Sequence, residues 1–274
     1  MKRLFHYEHS VVSYLRFGRG KQIMVAFHGY GQSGEAYLYF EPVLAERFTV
    51  IAIDFFFHGE SEWREGRDFT REDMRDIVFG IAAQEKLAAH KFTVCSFSMG
   101  ARMARSLVQT FPARIDRFVL LSPPTFAFNK FLNFSTNTPL GLALFRYFIR
   151  HNDVLLSWVK RLHQAKILNR AVYLFSSKFM VNRERLQRVF DTWYAQRKLR
   201  TNYAEFARLL DQHQIEVILI SGINDAITPP AAMVRYVKRL HKHRIFLVEQ
   251  KHQLQTEAGL RIFEVLFGVE GKGE

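Results

Sequence analysis

The sequence predicts an α/β protein with a mainly parallel central sheet, helices on both faces of the sheet, and a helical cap inserted before the last two strands. Short apolar segments with strand character alternate with amphipathic helical segments along most of the chain. This alternation favours parallel strands joined by helical crossovers, which cover both faces of a sheet. It lapses between residues 125 and 214, where the pattern is helical.

The elements follow from local composition. Two short strands and a hairpin-like turn at Gly18-Arg19-Gly20 begin the chain, and the third strand is apolar through its middle, as expected for burial on both faces. The predicted strands cover residues 2–6, 11–17, 22–27, 48–53, 91–95, 118–121, 216–221 and 244–248. The predicted core helices cover residues 35–46, 71–87, 101–110, 229–241 and 259–267, the second beginning with the capping-box spacing of Thr70 and Asp73.

These elements divide the chain into a core of residues 1–124 and 215–274 and a helical cap, or lid, of residues 125–214. The length of 274 residues suits one large domain or one domain with an insert. Because the cap enters between two strands, we expect it to lie over the carboxyl ends of the strands, where sheets of this kind place their chemistry.

Composition excludes several classes of protein. Apolar residues make up 48% of the chain, which argues against disorder, and no apolar run reaches the roughly 18 to 20 residues that span a bilayer. Cys95 is the single cysteine, so no internal disulfide can form, and no apolar signal-peptide region is visible near Met1. These observations favour a cytoplasmic location. We expect Cys95 to be a small apolar strand residue rather than a nucleophile.

Positive charge is concentrated in the cap. Residues 129–214 contain 15 Lys and Arg against 5 Asp and Glu, within a net charge of +13 for the chain. Such a surface suits an anionic substrate, a membrane surface or nucleic acid, but it equally suits solvated helices. The cap aromatics can line an acyl pocket or simply bury the cap against the core: Phe126, Phe128, Phe131, Phe134, Phe145, Tyr147, Phe148 and Trp158.

The segment Ser96-Phe97-Ser98-Met99-Gly100 lies between a predicted strand and a predicted helix. It is close to G-x-S-x-G, with serine in place of the first glycine. A sharp turn here would raise the Ser98 hydroxyl above the sheet, and small flanking residues would let the neighbouring backbone approach. The helix that follows would point its free N–H groups at an oxyanion formed beside Ser98.

Two further polar residues follow later strands. Asp225 follows the strand at 216–221, and His252 follows the last strand, which gives the chain order nucleophile, acid, base. An isolated aspartate after a strand is usually a turn former, and His241 and His243 are nearby alternatives. His252 alone lies in the loop after the last strand.

Four stretches together resemble the α/β-hydrolase family over nearly the whole chain: His28-Gly29, residues 54–61, the Ser98 turn, and the Asp225 and His252 loops. The resemblance implies that Ser98 is the nucleophile, that His252 transfers its proton and that Asp225 orients the imidazole. It implies backbone N–H donors at Met99 and Tyr30 for an oxyanion hole. His28, Gly29, Asp54 and His58 are then expected to shape loops without transferring protons.

Three positions bear on how far the resemblance extends. Ser96 is a small-for-small replacement, whereas Lys251 stands where many relatives have glycine and is expected to alter the His252 loop or to place a cation near the site. Ser98 argues against dehalogenase and epoxide-hydrolase activity, because those relatives carry aspartate there. No cluster has metal-ligand spacing such as H-E-x-x-H, so neither a metal nor an organic cofactor is expected.

The resulting hypothesis is a serine hydrolase that cleaves an ester or related acyl substrate, as carboxylesterases, lipases and thioesterases do. The substrate is expected to be a small molecule, with an amphipathic or anionic one and peripheral membrane contact left open, and no specific nucleic acid is expected. Two alternatives remain. One is a carbon–carbon bond hydrolase or lyase that uses the same three residues, and the other is a non-catalytic binding protein on this fold.

Overall fold

The computed structural model describes residues 1–87, 91–124, 133–168 and 170–268. Its strands are β1 Lys2–Tyr7, β2 Ser10–Phe17, β3 Gln22–Phe27, β4 Phe48–Ile53, β5 Phe92–Phe97, β6 Ile115–Leu121, β7 Glu216–Gly222 and β8 His243–Val248. Within the described residues these eight strands form one sheet in the order β1-β2-β4-β3-β5-β6-β7-β8. The pairs β1–β2 and β2–β4 are antiparallel, and the other neighbouring pairs are parallel. The predicted mainly parallel sheet is therefore confirmed.

Helices cover both faces of this sheet. They are α1 Glu41–Leu44, α2 Arg71–Gln84, α3 Ala101–Thr110, α4 Pro139–Arg150, α5 Asn152–Gln164, α6 Arg170–Phe179, α7 Arg183–Ala195, α8 Tyr203–Gln212, α9 Ala231–Val237 and α10 Glu257–Phe267. Because successive strand residues point to opposite faces, Val25 and Phe27 of β3 join one core while Met24 and Ala26 join the other. The first core packs against α2, α3, α8 and α9, and the second against α1 and α10.

Two local predictions are wrong. The helix predicted over residues 35–46 is a 3₁₀ helix, Gly34–Phe40, followed by the single α-helical turn Glu41–Leu44. Pro42 explains the break, because it lacks the N–H that a continuous α-helix would need there and fits only a first turn. The turn at Gly18-Arg19-Gly20 does not close a hairpin, since β2 pairs with β4 and not with β3.

Between β6 and β7, the described residues form helices joined by short loops. We call residues 133–168 and 170–212 the helical insert; it contains α4 to α8, preceded by a helical turn at 133–137. The insert has a separate buried hydrophobic cluster, which includes Phe145 and Trp193. Tyr30, from the loop after β3, packs against this cluster. Phe134, Tyr147 and Trp158 are exposed, so not all of the predicted aromatics bury the insert. Phe126, Phe128 and Phe131 lie outside the described residues.

Candidate functional site

The turn between β5 and α3 holds Ser98 in a strained backbone conformation. A 3₁₀ turn, Ser98–Gly100, joins the strand to the helix, and Ser98 has a φ angle of 47°. This left-handed conformation costs a residue other than glycine about 1–3 kcal/mol and is typical of functional sites. A Cβ added at Gly100 would lie 2.2 Å from the carbonyl oxygen of Phe27, so glycine is required for β3 to pack this closely against the turn.

Ser98, His252 and Asp225 form a hydrogen-bonded chain at the carboxyl ends of β5, β8 and β7. His252 Nε2 lies 2.9 Å from Ser98 Oγ, and His252 Nδ1 lies 2.7 Å from Asp225 Oδ2. The Asp225 carboxylate is fully buried, whereas the His252 side chain keeps 18% of its surface exposed. The arrangement fits an Nδ1–H that donates to Asp225 and an Nε2 that is free to accept the Ser98 proton.

Hydrogen bonds hold Asp225 in its charged form. The N–H groups of Ile227 and Thr228 each donate to Asp225 Oδ1 at 2.8 Å, and the Thr228 hydroxyl donates to Oδ2 at 2.6 Å. Burial by itself raises the pKa of Asp225, but the hydrogen bonds from His252 and Thr228 outweigh it and lower the pKa below its usual value. The carboxylate is therefore ionised at neutral pH and favours a positive charge on the imidazole.

Thr228 is a site residue that the sequence analysis missed. Its Oγ1 lies 3.1 Å from His252 Nδ1 and 3.1 Å from the carbonyl oxygen of Ser122, in addition to its contact with Asp225. The Thr228 hydroxyl therefore contacts both His252 and Asp225. The D-x-x-T spacing from Asp225 was the available signal, because an aspartate commonly accepts hydrogen bonds from N–H groups two or three residues further along.

The two departures from the family motif fit this geometry. Ser96 is fully buried, and its hydroxyl donates to the carbonyl oxygen of Val119 on the neighbouring strand at 3.3 Å. Lys251 is exposed, and His252 beside it still lies within hydrogen-bond distance of both partners. Neither residue disturbs the hydrogen-bonded chain.

Met99 directly follows Ser98 in the turn after β5, and Tyr30 lies on the loop after β3, the strand that pairs with β5. Met99 is in the first turn of the 3₁₀ segment, where an N–H has no partner within the helix. Among the described residues, no acceptor takes the N–H of Tyr30. The Gly29 N–H is bound to Gln32 Oε1 at 3.1 Å, which fixes the loop on the other side of Tyr30. An oxyanion hole at Met99 and Tyr30 stays a prediction.

Two buried neutral histidines fix the loop after β3. His28 Nδ1 lies 2.7 Å from the Gly29 carbonyl oxygen and its Nε2 accepts the Phe55 N–H at 3.0 Å, while His58 Nε2 accepts the Gly31 N–H at 3.0 Å. Burial lowers the pKa of His28 to about 4. Burial, with the charge of neighbouring His28 as a second cause, lowers the pKa of His58 to about 3. Both rings are therefore uncharged at neutral pH.

Asp54 holds the same loop from the opposite side. Its Oδ1 accepts the Gly34 N–H at 2.6 Å, and its Oδ2 accepts the Ser13 hydroxyl at 2.6 Å. The carboxylate thus ties the start of the 3₁₀ helix after β3 to β2. None of these contacts involves Ser98 or His252.

Tyr30 joins this loop to the helical insert. Its ring centroid lies 5.2 Å from that of His58, 5.6 Å from that of Phe175 and 5.0 Å from that of Phe179. Burial raises the pKa of the Tyr30 hydroxyl to about 12. The insert therefore packs directly on the loop that follows β3.

Arg102, four residues after Ser98, is a second anchor that the sequence analysis missed. Its Nε donates to the Leu199 carbonyl oxygen at 3.0 Å, and its Nη2 donates to Asn133 Oδ1 at 3.0 Å. Burial, together with the charge of Arg105, lowers the pKa of the Arg102 guanidinium to about 9. This side chain links α3 to two separate parts of the insert.

The described residues were also searched for a reactive thiol, a metal site and a membrane-spanning helix. Burial raises the pKa of the Cys95 thiol to about 12, so this residue is protonated at neutral pH. Within residues 1–87, 91–124, 133–168 and 170–268, no three His, Cys, Asp or Glu side chains gather as metal ligands would. Over the same residues, no helix has the length and apolar character needed to cross a bilayer.

Comparison with known proteins gives matches of two kinds. The family model described as alpha/beta hydrolase fold matches residues 22–256. An uncharacterized protein of Mycobacterium bovis is 30% identical over 109 residues, which is 38% of this chain and only 30% of that protein. The curated relative is thus matched over less than two thirds of its length.

Solved structures match along almost the whole chain. A thermophilic esterase from Thermogutta terrifontis has a TM-score of 0.66 and 16% identity, with coverage of 97% of this chain and 96% of that one. A meta-cleavage product hydrolase from Pseudomonas fluorescens has a TM-score of 0.62 and 17% identity, with the same coverage. Such identities show likeness of fold alone. The family-model match, which extends from β3 to the loop after His252, shows that this chain belongs to the α/β hydrolase fold family.

Proposed function

We propose that this protein is a serine hydrolase that cleaves an ester or related acyl bond through an acyl-enzyme on Ser98. The observation that carries the proposal is the chain of hydrogen bonds from Asp225 through His252 to a serine with a left-handed backbone. A buried carboxylate, an imidazole and a hydroxyl in this order make a weak nucleophile reactive at neutral pH.

In acylation, Ser98 Oγ bonds to the carbonyl carbon of the substrate while its proton passes to His252 Nε2. The carbonyl oxygen becomes an oxyanion, which the N–H groups of Met99 and Tyr30 stabilise. When the tetrahedral intermediate collapses, the bond to the leaving group breaks and His252 returns the proton to it. Loss of one oxyanion donor typically costs about 10²- to 10³-fold in rate.

In deacylation, His252 Nε2 takes a proton from water, and the resulting oxygen nucleophile attacks the acyl carbon. Collapse of the second intermediate releases the acid and restores the Ser98 hydroxyl with the proton held by His252. Asp225 keeps the imidazole in the required tautomer and stabilises its charged form in both half-reactions. The chemistry requires neither metal nor organic cofactor.

Residues 125–214 serve in this proposal as the cap of a core formed by residues 1–124 and 215–274. Support comes from the contact of Phe175 and Phe179 with Tyr30, which brings the helical insert to the loop beside Ser98. Arg102 supports it from the other direction, since its hydrogen bonds join α3 to the insert. The substrate is a small molecule that the insert helps to enclose.

The test is hydrolysis of p-nitrophenyl esters from acetate to palmitate by the parent and by Ser98→Ala. The proposal expects turnover that disappears in Ser98→Ala and persists in Ser106→Ala, which removes another buried serine hydroxyl from the following helix. Circular dichroism establishes that each variant is folded. Absence of turnover on every ester by folded parent protein would contradict ester hydrolysis and favour carbon–carbon bond cleavage or lyase chemistry. Turnover retained in Ser98→Ala would contradict the role of that residue.

A further inference from the structure

The helical insert contains an apolar cavity that the proposed chemistry does not use. Its volume is about 230 Å³, and its walls come from α4, α5, α6 and α7. The lining side chains are apolar except those of Ser135 and Ser176, and Gly141 contributes only backbone. An apolar cavity of roughly 150 Å³ stays dry and binds benzene, so a larger one with this lining favours hydrocarbon over water.

The cavity reaches the surface of the insert. Among its lining residues, Phe134 is 44% exposed, Leu144 is 41% exposed and Trp158 is 55% exposed. Leu155, Val159 and Leu162 continue the lining inward from Trp158 along the same face of α5. Large exposed apolar groups around an opening are typical of a ligand-binding groove.

The part of the insert that forms two walls of the cavity, α4 and α5, carries an excess of positive charge. Residues 133–168 contain one acidic residue, Asp153, against five Lys and Arg, all of them exposed: Arg146, Arg150, Lys160, Arg161 and Lys166. In the described part of the chain, no carboxylate pairs with any of these five cations. Arg161 is three residues after Trp158 and so lies on the same face of the helix. An anionic group at the opening beside Trp158 would therefore lie near Arg161.

The inner wall of the cavity adjoins the candidate active site. Phe175 lines the cavity, and its ring is stacked on that of Trp193 with centroids 5.5 Å apart. The same Phe175 ring contacts Tyr30, at 5.6 Å between centroids, on the loop beside Ser98. One aromatic ring therefore separates the cavity from that loop.

We propose that this cavity binds the hydrocarbon chain of a single-chain amphiphile whose anionic head, a carboxylate or a phosphate, remains at the basic opening. At roughly 30 Å³ for a water-sized group, the cavity takes a chain on the order of eight methylenes. Binding of the amphiphile stands independently of catalysis.

The test uses the full chain with Ser98→Ala, so that binding is measured without turnover. Decanoate, butyrate and decyltrimethylammonium, each below its aggregation concentration, are titrated by calorimetry. We expect decanoate to bind at least tenfold more tightly than butyrate or the cationic decyl amphiphile. Replacement of both Lys160 and Arg161 by glutamine should weaken decanoate binding about threefold to tenfold and leave binding of uncharged decyl maltoside unchanged.

Two experiments locate the hydrocarbon chain of the bound amphiphile. Val159→Phe fills the cavity and should abolish decanoate binding, whereas Leu140→Phe, at an exposed position of α4 outside the lining, should not. If Val159→Phe does not fold, 11-bromoundecanoate gives an independent answer in otherwise unaltered protein. Its bromine should quench the fluorescence of Trp158 and Trp193, measured in a Trp63→Phe background. Saturating bromoundecanoate that leaves this fluorescence unchanged overturns the proposal.

The outcomes separate this inference from the proposed function. Decanoate binding that Val159→Phe abolishes, in a protein whose parent hydrolyses no ester, would support the cavity and contradict the hydrolase. Ester turnover with equal affinity for decanoate and butyrate would support the hydrolase and overturn the cavity proposal. Decanoate binding that Val159→Phe leaves intact would place the ligand elsewhere and likewise overturn it.

Discussion

Acidification from pH 7.5 to pH 5 is expected to lower the free energy of unfolding by about 4 kcal/mol, because His28 and His58 are buried without charge. Each ring uses Nε2 to accept a backbone N–H, from Phe55 and Gly31 respectively, and protonation of that nitrogen breaks the bond. Burial lowers the pKa of His28 to about 4 and that of His58 to about 3.

The magnitude follows from proton linkage. A histidine in the unfolded chain has a pKa of about 6.5, above both folded values, so the unfolded state binds more protons and stability falls as the pH drops through 6.5. At pH 5, each ring contributes a loss of about 2 kcal/mol, and unfolding takes up about one proton per ring. Carboxylates titrate mainly at lower pH, which makes this interval a test of the histidines.

Urea unfolding followed by circular dichroism at the two pH values measures the effect. His58→Gln retains an acceptor for the Gly31 N–H and should remove about half of the pH dependence, whatever it does to stability at pH 7.5. His6→Gln, at an exposed side chain of β1, is the matched control and should leave the pH dependence unchanged. A change in the parent below about 1 kcal/mol, or full pH dependence in His58→Gln, would refute the reasoning.

Two further substitutions test the geometry of the site. Gly100→Ala places a Cβ 2.2 Å from the Phe27 carbonyl oxygen, so it should destabilise the protein by about 3 kcal/mol or more and reduce ester turnover; an unchanged urea midpoint would contradict this. Thr228→Val removes a hydroxyl bonded to the Asp225 carboxylate and should lower kcat about tenfold to hundredfold, whereas Thr228→Ser should remain near the parent. Equal kcat values for these two variants would show that the hydroxyl does not orient Asp225.

Much of the core was predictable because its strands have a strong local signal. The runs Gln22–Phe27 and Phe48–Ile53 are nearly all apolar, and the structure forms strands over those residues. The helix predicted over 35–46 was wrong because apolar periodicity outweighed the effect of Pro42 on the backbone. The pairing of β2 with β4 joins segments more than thirty residues apart, and no local turn pattern specifies it.

The residues of the candidate site also fall into those that the sequence predicted and those that it did not. Ser98, Asp225 and His252 were named from strand ends, and the structure brings them within hydrogen-bond distance. Thr228 was missed although its hydrogen bonds to Asp225 are local, because a D-x-x-T spacing also fits an ordinary turn. Arg102 was missed because its partners at Leu199 and Asn133 are distant in sequence. A side chain defined by long-range hydrogen bonds leaves little trace in a single sequence, whereas a strand-turn-helix motif is local.

The central claim is that Ser98 is a nucleophile activated by His252, and covalent labelling tests it most directly. Folded parent protein, Ser98→Ala and His252→Gln are treated with a fluorophosphonate, and the adduct is located by mass spectrometry of the digested chain. The account predicts one adduct, on the peptide that contains Ser98, absent from Ser98→Ala and formed much more slowly in His252→Gln. No adduct in folded parent protein, or an adduct that persists in Ser98→Ala, would contradict it.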